Sequence, residues 1–93
     1  MEIEIVTGRV AQNLEHLKRY TSTPDAGCTR LPFTKETRDA VQYLRKEMEA
    51  IGLKVKEDAA GNIYGILRGT DSSLPCVMTG SHIDSVLHGG NYD

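Results

Sequence analysis

The hydrophobic period of this chain changes at Gly52, and that change limits the possible folds more than any other feature. Before Gly52, apolar residues recur every three or four positions; after it they alternate with charged ones. The stripe Ala40, Val41, Leu44, Met48 and Ile51 predicts an amphipathic helix, with Thr34 as its N-cap hydroxyl and Glu36 as a carboxylate in its first turn. An earlier stripe of Ile3, Val6, Val10, Leu14 and Leu17 predicts another helix, weakened slightly by Gly8. Between them TSTPDAGCTRLPF, residues 21–33, reads as a connecting loop. Beyond Gly52, Leu53 and Val55 alternate with Lys54 and Lys56, the pattern of an edge strand with one wet face. Asp58–Asn62 supplies a turn with Gly61 where a positive φ is needed, and Ile63, Tyr64, Ile66 and Leu67 form the returning strand of a hairpin.

After a polar turn at residues 69–75, Cys76-Val77-Met78 runs without charge into Thr79-Gly80-Ser81. Such a run predicts a third strand over 76–81, lying inside a covered sheet with Val77 buried. The order helix, helix, strand, strand, strand is therefore expected to open an α/β sandwich built on a mixed sheet. Ninety-three residues allow one small domain, which buries only about 60–70% of its unfolded surface.

A formal net charge of −2, with both signs interspersed, gives no basic stripe for nucleic acid and no polybasic patch for a membrane. The start MEIEIVTGRV lacks the pattern of a signal peptide, and no apolar run reaches the length of a membrane span, so the expected location is cytoplasmic. Cys28 and Cys76 lie far apart with no C-x-x-C pattern, which predicts two reduced thiols.

The densest chemistry lies in GSHIDSVLHGGNYD, residues 80–93. A strand over 76–81 would put His82 at its carboxyl end, where open α/β sheets place their sites. Asp84, two residues on, can hold the proton of one imidazole nitrogen and leave the other for a metal. Gly89-Gly90 permits a tight path bringing Asp93 back toward His82. By itself a His-x-Asp spacing is weak evidence, since it more often marks a hydrogen-bonded surface pair.

The whole string, Gly80-Ser-His-Ile-Asp-Ser-Val followed by Gly89-Gly90 and Asp93, resembles the first metal-binding motif of the dinuclear zinc aminoacylase and carboxypeptidase superfamily. Within it the chain looks most like the N-carbamoyl-L-amino-acid hydrolases and allantoate amidohydrolases. Gly27-Cys-Thr-Arg30-Leu, Met48-Glu-Ala-Ile-Gly52-Leu and Asp58-Ala-Ala-Gly61-Asn62-Ile-Tyr-Gly65 stand upstream in the order that family shows. The resemblance implies that His82 binds one metal, Asp93 bridges two, and Asp84 stands behind the histidine. It also implies two divalent cations, zinc or manganese, and a small-molecule ureido substrate. The reaction would be attack of an activated water on a ureido carbonyl, releasing ammonia and carbon dioxide.

The family's tandem acidic pair, later ligands, substrate clamp and inserted lid and dimerisation domain have no counterpart in residues 1–93. The chain therefore reads as the N-terminal part of one such catalytic domain: inactive alone, binding metal weakly or not at all, and prone to self-association through its open sheet. Two alternatives stand beside this reading: an aminoacylase or peptidase of the same superfamily, and a non-catalytic interaction protein that uses its sheet edge. His16 and His88 are expected to be solvated or locally hydrogen-bonded, Arg30 to anchor its loop, and Asn62 to serve the hairpin turn.

Overall fold

A computed structural model describes residues 2–93. The chain divides into two compact units, Met1–Ala40 with Asp84–Asp93, and Val41–Ile83. Among the described residues the buried side chains are Cys28, Thr29 and Ala40, all in the first unit.

In the first unit, helix α1 covers Thr7–Leu17, beginning later than its apolar stripe predicts. Ile3, Ile5 and Val6 are β-branched and precede Gly8, and Val6 occupies the N-cap position without a side-chain bond to any free helix N–H. That turn has neither propensity nor a cap to start it. Ile3 is accordingly 84% exposed, whereas Asn13, Leu14, His16 and Leu17 are half-buried.

The far end of α1 is closed by Arg30, whose guanidinium Nη1 donates to the carbonyls of Leu17 at 2.9 Å and Tyr20 at 3.0 Å. A positive charge there both satisfies free carbonyls and opposes the negative end of the helix dipole. This is the anchoring role expected of Arg30. His16 is locally engaged as expected, its Nε2 lying 2.9 Å from the Tyr20 hydroxyl.

Helix α2, Lys35–Ala50, starts in the first unit and continues in the second. Thr34 caps it: its carbonyl accepts the Arg38 N–H at 3.1 Å and its hydroxyl the Thr37 N–H at 3.4 Å. In the second unit Gly52, at φ 88°, ends it. Its N–H reaches the Glu49 carbonyl at 3.0 Å, and the Leu53 N–H reaches that of Met48 at 3.0 Å. This double closure is the Schellman motif, which needs a left-handed residue and so selects glycine.

Strands β1, Lys54–Glu57, and β2, Ile63–Ile66, pair antiparallel with Val55 opposite Gly65 and Lys56 opposite Tyr64. Leu53, Val55 and Ile63 are half-buried on one face, while Lys54 and Lys56 are exposed, as the alternation predicts. Gly65 lies under α2: a Cβ there would stand 2.8 Å from Leu53 Cδ1 and 3.1 Å from Met48 Sδ. Arg45 of α2 pairs with Glu57 of β1 at 3.1 Å.

The hairpin loop is organised by the Asp58 carboxylate. It accepts the backbone N–H groups of Ala60 at 3.0 Å and Asn62 at 2.9 Å, the Asn62 amide at 2.9 Å and the Tyr64 hydroxyl at 3.0 Å. The Asn62 amide, foremost among these donors, holds the Asp58 carboxyl below its ordinary 3.8. Gly61 sits at φ 89°, the conformation expected of it.

The third strand is a correction. Residues 75–86 have no regular secondary structure, Val77 is 100% exposed rather than buried, and the sheet is two-stranded and antiparallel rather than mixed. An uncharged run becomes a strand only where a neighbouring ladder accepts its N–H and C=O groups. Among the described residues β1 and β2 pair with each other alone. The sequence order is thus realised as a small α/β arrangement of two helices and one hairpin.

Candidate functional site

His82 is exposed inside the irregular segment 75–86, within the second unit, and not at the tip of a strand. Asp84 is half-buried and Asp93 exposed, both in the first unit. An imidazole with carboxylates suits zinc or manganese in donor type. Among the described residues, however, no three His, Cys, Asp or Glu side chains are gathered into a metal-sized group. The fit of His82 and Asp93 to such a metal is thus one of donor type alone.

What the structure does assemble is the support of this segment. Residues 85–89 are fastened to the loop 21–30 by a ladder of short hydrogen bonds. Cys28 and Gly89 exchange two backbone bonds, each 2.8 Å. Ser85 donates its N–H to the Arg30 carbonyl at 2.8 Å, and its hydroxyl accepts the Arg30 N–H at 2.8 Å while lying 2.9 Å from the Cys28 carbonyl. Between these links the Thr29 hydroxyl accepts the His88 N–H at 2.8 Å. His88 itself adopts φ 50°, uncommon for a residue with a Cβ, and its Nδ1 bonds the Ala26 carbonyl at 2.8 Å. A carbonyl only accepts, so Nδ1 carries a proton.

Gly27 makes this approach possible. It holds φ 76°, and a Cβ there would stand 2.8 Å from the Gly89 carbonyl oxygen and 3.0 Å from His88 backbone atoms. The Gly27–Leu31 string and residues 85–89 of the 80–93 string therefore form one structure. Reading the sequence found both but missed their union, and with it the parts played by Thr29 and Ser85. The available signal was the clustering of small hydroxyl residues, Thr21, Ser22, Thr23 and Thr29, in one loop.

Beside the fastened loop lies a cavity of about 310 Å³ lined by Lys18, Arg19, Thr21, Pro24, Gly27 and Asn91. Its two cations do not amount to an anion site. Lys18 is paired with Glu15 at 2.8 Å, and α1 presents its negative end there.

No family model matches the chain. Individual proteins do. The chain is 42% identical to an allantoate amidohydrolase of Bacillus subtilis over 88 residues, covering 95% of this chain and 21% of that protein. It is 44% identical to an N-carbamoyl-L-amino-acid amidohydrolase of Paenarthrobacter aurescens over 85 residues, 91% of this chain and 20% of that protein. A ureidoglycolate hydrolase of Arabidopsis thaliana is 39% identical over 80 residues, 86% of this chain and 17% of that protein. The class of protein that the two joined motifs resemble is thus a class of hydrolases. Within it, the resemblance to allantoate amidohydrolases and N-carbamoyl-L-amino-acid amidohydrolases extends over nearly the whole chain. The chain spans about one-fifth of the length of these curated relatives.

Proposed function

We propose that the chain contributes a metal-holding segment to a metal-dependent amidohydrolase that cleaves the ureido or carbamoyl C–N bond of allantoate or of an N-carbamoyl-L-amino acid. The observation that carries this reading is the similarity, over 91–95% of the chain, to proteins named for those two reactions. The ureidoglycolate hydrolase adds a third compound with the same ureido group. In this reading the chain is the N-terminal part of a zinc-peptidase-like α/β domain. His82 and Asp93 are metal ligands, Asp84 orients the His82 imidazole, and the ladder to residues 21–30 holds the backbone at residues 85–89 between them. Divalent ions, zinc or manganese, supply Lewis acidity and a water of lowered pKa when bound. Addition of one water to the ureido group yields the amine, ammonia and carbon dioxide.

A chimaera tests this directly. With residues of the Bacillus subtilis allantoate amidohydrolase replaced by the 88 residues that match them here, the protein is expected to release ammonia from allantoate. His82→Ala and Asp93→Ala are each expected to reduce that release to background. A folded chimaera with no turnover, or one indifferent to both substitutions, refutes the reading.

A further inference from the structure

We infer that Phe33 anchors a contact between two copies of this chain, its ring seated in the cavity that the second copy presents beside Lys18, Arg19 and Pro24. Phe33 is the single phenylalanine of the sequence, is 92% exposed and adopts φ 64°. A bulky side chain in the left-handed region is strained and stays there only when its surroundings hold it. Here the Leu31 carbonyl does so, accepting the hydroxyls of Thr34 at 2.7 Å and Thr37 at 2.6 Å and closing the turn onto the start of α2. An apolar residue just before a helix cap ordinarily packs on the fourth helical residue. In α2 that residue is Arg38, itself exposed, so the ring is not stapled to its own helix. Strain is thus maintained in order to hold an aromatic ring in water, and nothing in the ring's own unit accounts for it.

The same unit carries a fitting receptor. The cavity of about 310 Å³ lies at the low end of the roughly 300–1,000 Å³ of pockets that enclose a small organic ligand, and a phenyl ring is smaller than such a ligand. Pro24 gives it an apolar wall, and no ion pair among the described residues engages the Arg19 guanidinium, a group that stacks on aromatic faces. What makes the cavity poor for an anion suits a ring, whose negative face meets Arg19 and whose positive edge meets the negative end of α1. Phe33 and the cavity both belong to the first unit, so every copy carries both. In a two-fold pair each copy gives one ring and receives one. Two rings of about 150–250 Å² each fall well short of the roughly 1,200 Å² of a stable interface, so the pair is weak and forms at high concentration.

The chain contains no tryptophan, so Phe33→Trp supplies a reporter whose emission moves to shorter wavelength when the ring leaves water. In the 93-residue chain that shift is expected to grow from low micromolar to millimolar concentration, together with a light-scattering mass rising toward that of a dimer. Phe33→Ala and Arg19→Ala are each expected to weaken the association at least about tenfold. Mixing these two variants leaves one ring facing one intact cavity, so the mixture is expected to associate at least about threefold more tightly than either variant alone. Phe33→Gly, which relieves the strained φ, is expected to unfold at the same or a higher denaturant concentration while remaining monomeric. Earlier unfolding of Phe33→Gly shows that the ring serves its own fold and overturns the proposal. It is equally overturned by an emission that does not move with concentration or that moves alike in Arg19→Ala. Self-association unaffected by Phe33→Ala, as pairing through the free edges of the hairpin gives, overturns it too.

Discussion

Replacing Gly27 with alanine should unfasten residues 85–89 from the loop that carries them. Two costs combine. Alanine at φ 76° incurs the left-handed penalty of about 1–2 kcal/mol. Its Cβ would also stand 2.8 Å from the Gly89 oxygen and 3.0 Å from His88, which are backbone atoms that no rotamer change can move aside. Separating the two segments by a few tenths of an ångström stretches the paired Cys28–Gly89 bonds, each worth roughly 0.5–1.5 kcal/mol. The combined loss is about 2–4 kcal/mol, or roughly a 30- to 700-fold increase in the population of the open loop. Amide hydrogen exchange reads this at Gly89 and Cys28, whose N–H groups are the bonded donors, with the Asn62 amide as an internal reference. Gly8→Ala is the contrast: nothing lies within 4 Å of a Cβ there, so the same change inside α1 should stabilise the helix by up to about 1 kcal/mol. If Gly27→Ala leaves Gly89 protection within about threefold of wild type, neither the φ argument nor the steric one holds.

Two further outcomes are expected. Asp58 is held below its ordinary 3.8 by donors present only in the folded hairpin, so its contribution is complete above 3.8 and is lost as pH falls through the lower folded value. The Ala60 and Asn62 amide shifts should therefore titrate together with a midpoint below 3.8, and a midpoint at or above it would contradict the geometry. The chain is also expected to self-associate, because the hairpin has no third strand among the described residues and Val77 and Met78 are 100% and 72% exposed. Light scattering over a dilution series checks this, and a monomer at high micromolar concentration would refute it.

The elements legible in the sequence are those whose signals are local. α2 declares itself by a cap at Thr34, a stripe of apolar residues and a glycine stop, and each of these is satisfied within a few residues of its own position. The hairpin likewise needs only Asp58, Gly61 and Asn62 to close. The start of α1 was misplaced because an apolar spacing says where a helix could lie but not whether its first N–H groups find acceptors. The 76–81 strand failed for the non-local version of the same reason. Its composition suits a covered ladder, yet a ladder is a property of two segments, and no second segment meets it among the described residues.

The candidate site divides along the same line. His82, Asp84 and Asp93 stood out because their chemistry is visible in the letters, and the resemblance gave them roles. Thr29 and Ser85 did not stand out, since a hydroxyl residue in a loop reads as solvent-facing until its partner, 55 to 59 positions away, is known. Their burial and bond lengths argue otherwise. In a chain whose only buried side chains among the described residues are Cys28, Thr29 and Ala40, two of the three lie in the loop that grips residues 85–89. Packing here is concentrated where the proposed ligand segment is held. The loop 21–30 is therefore the part of the fold through which distant substitutions should reach residues 85–89.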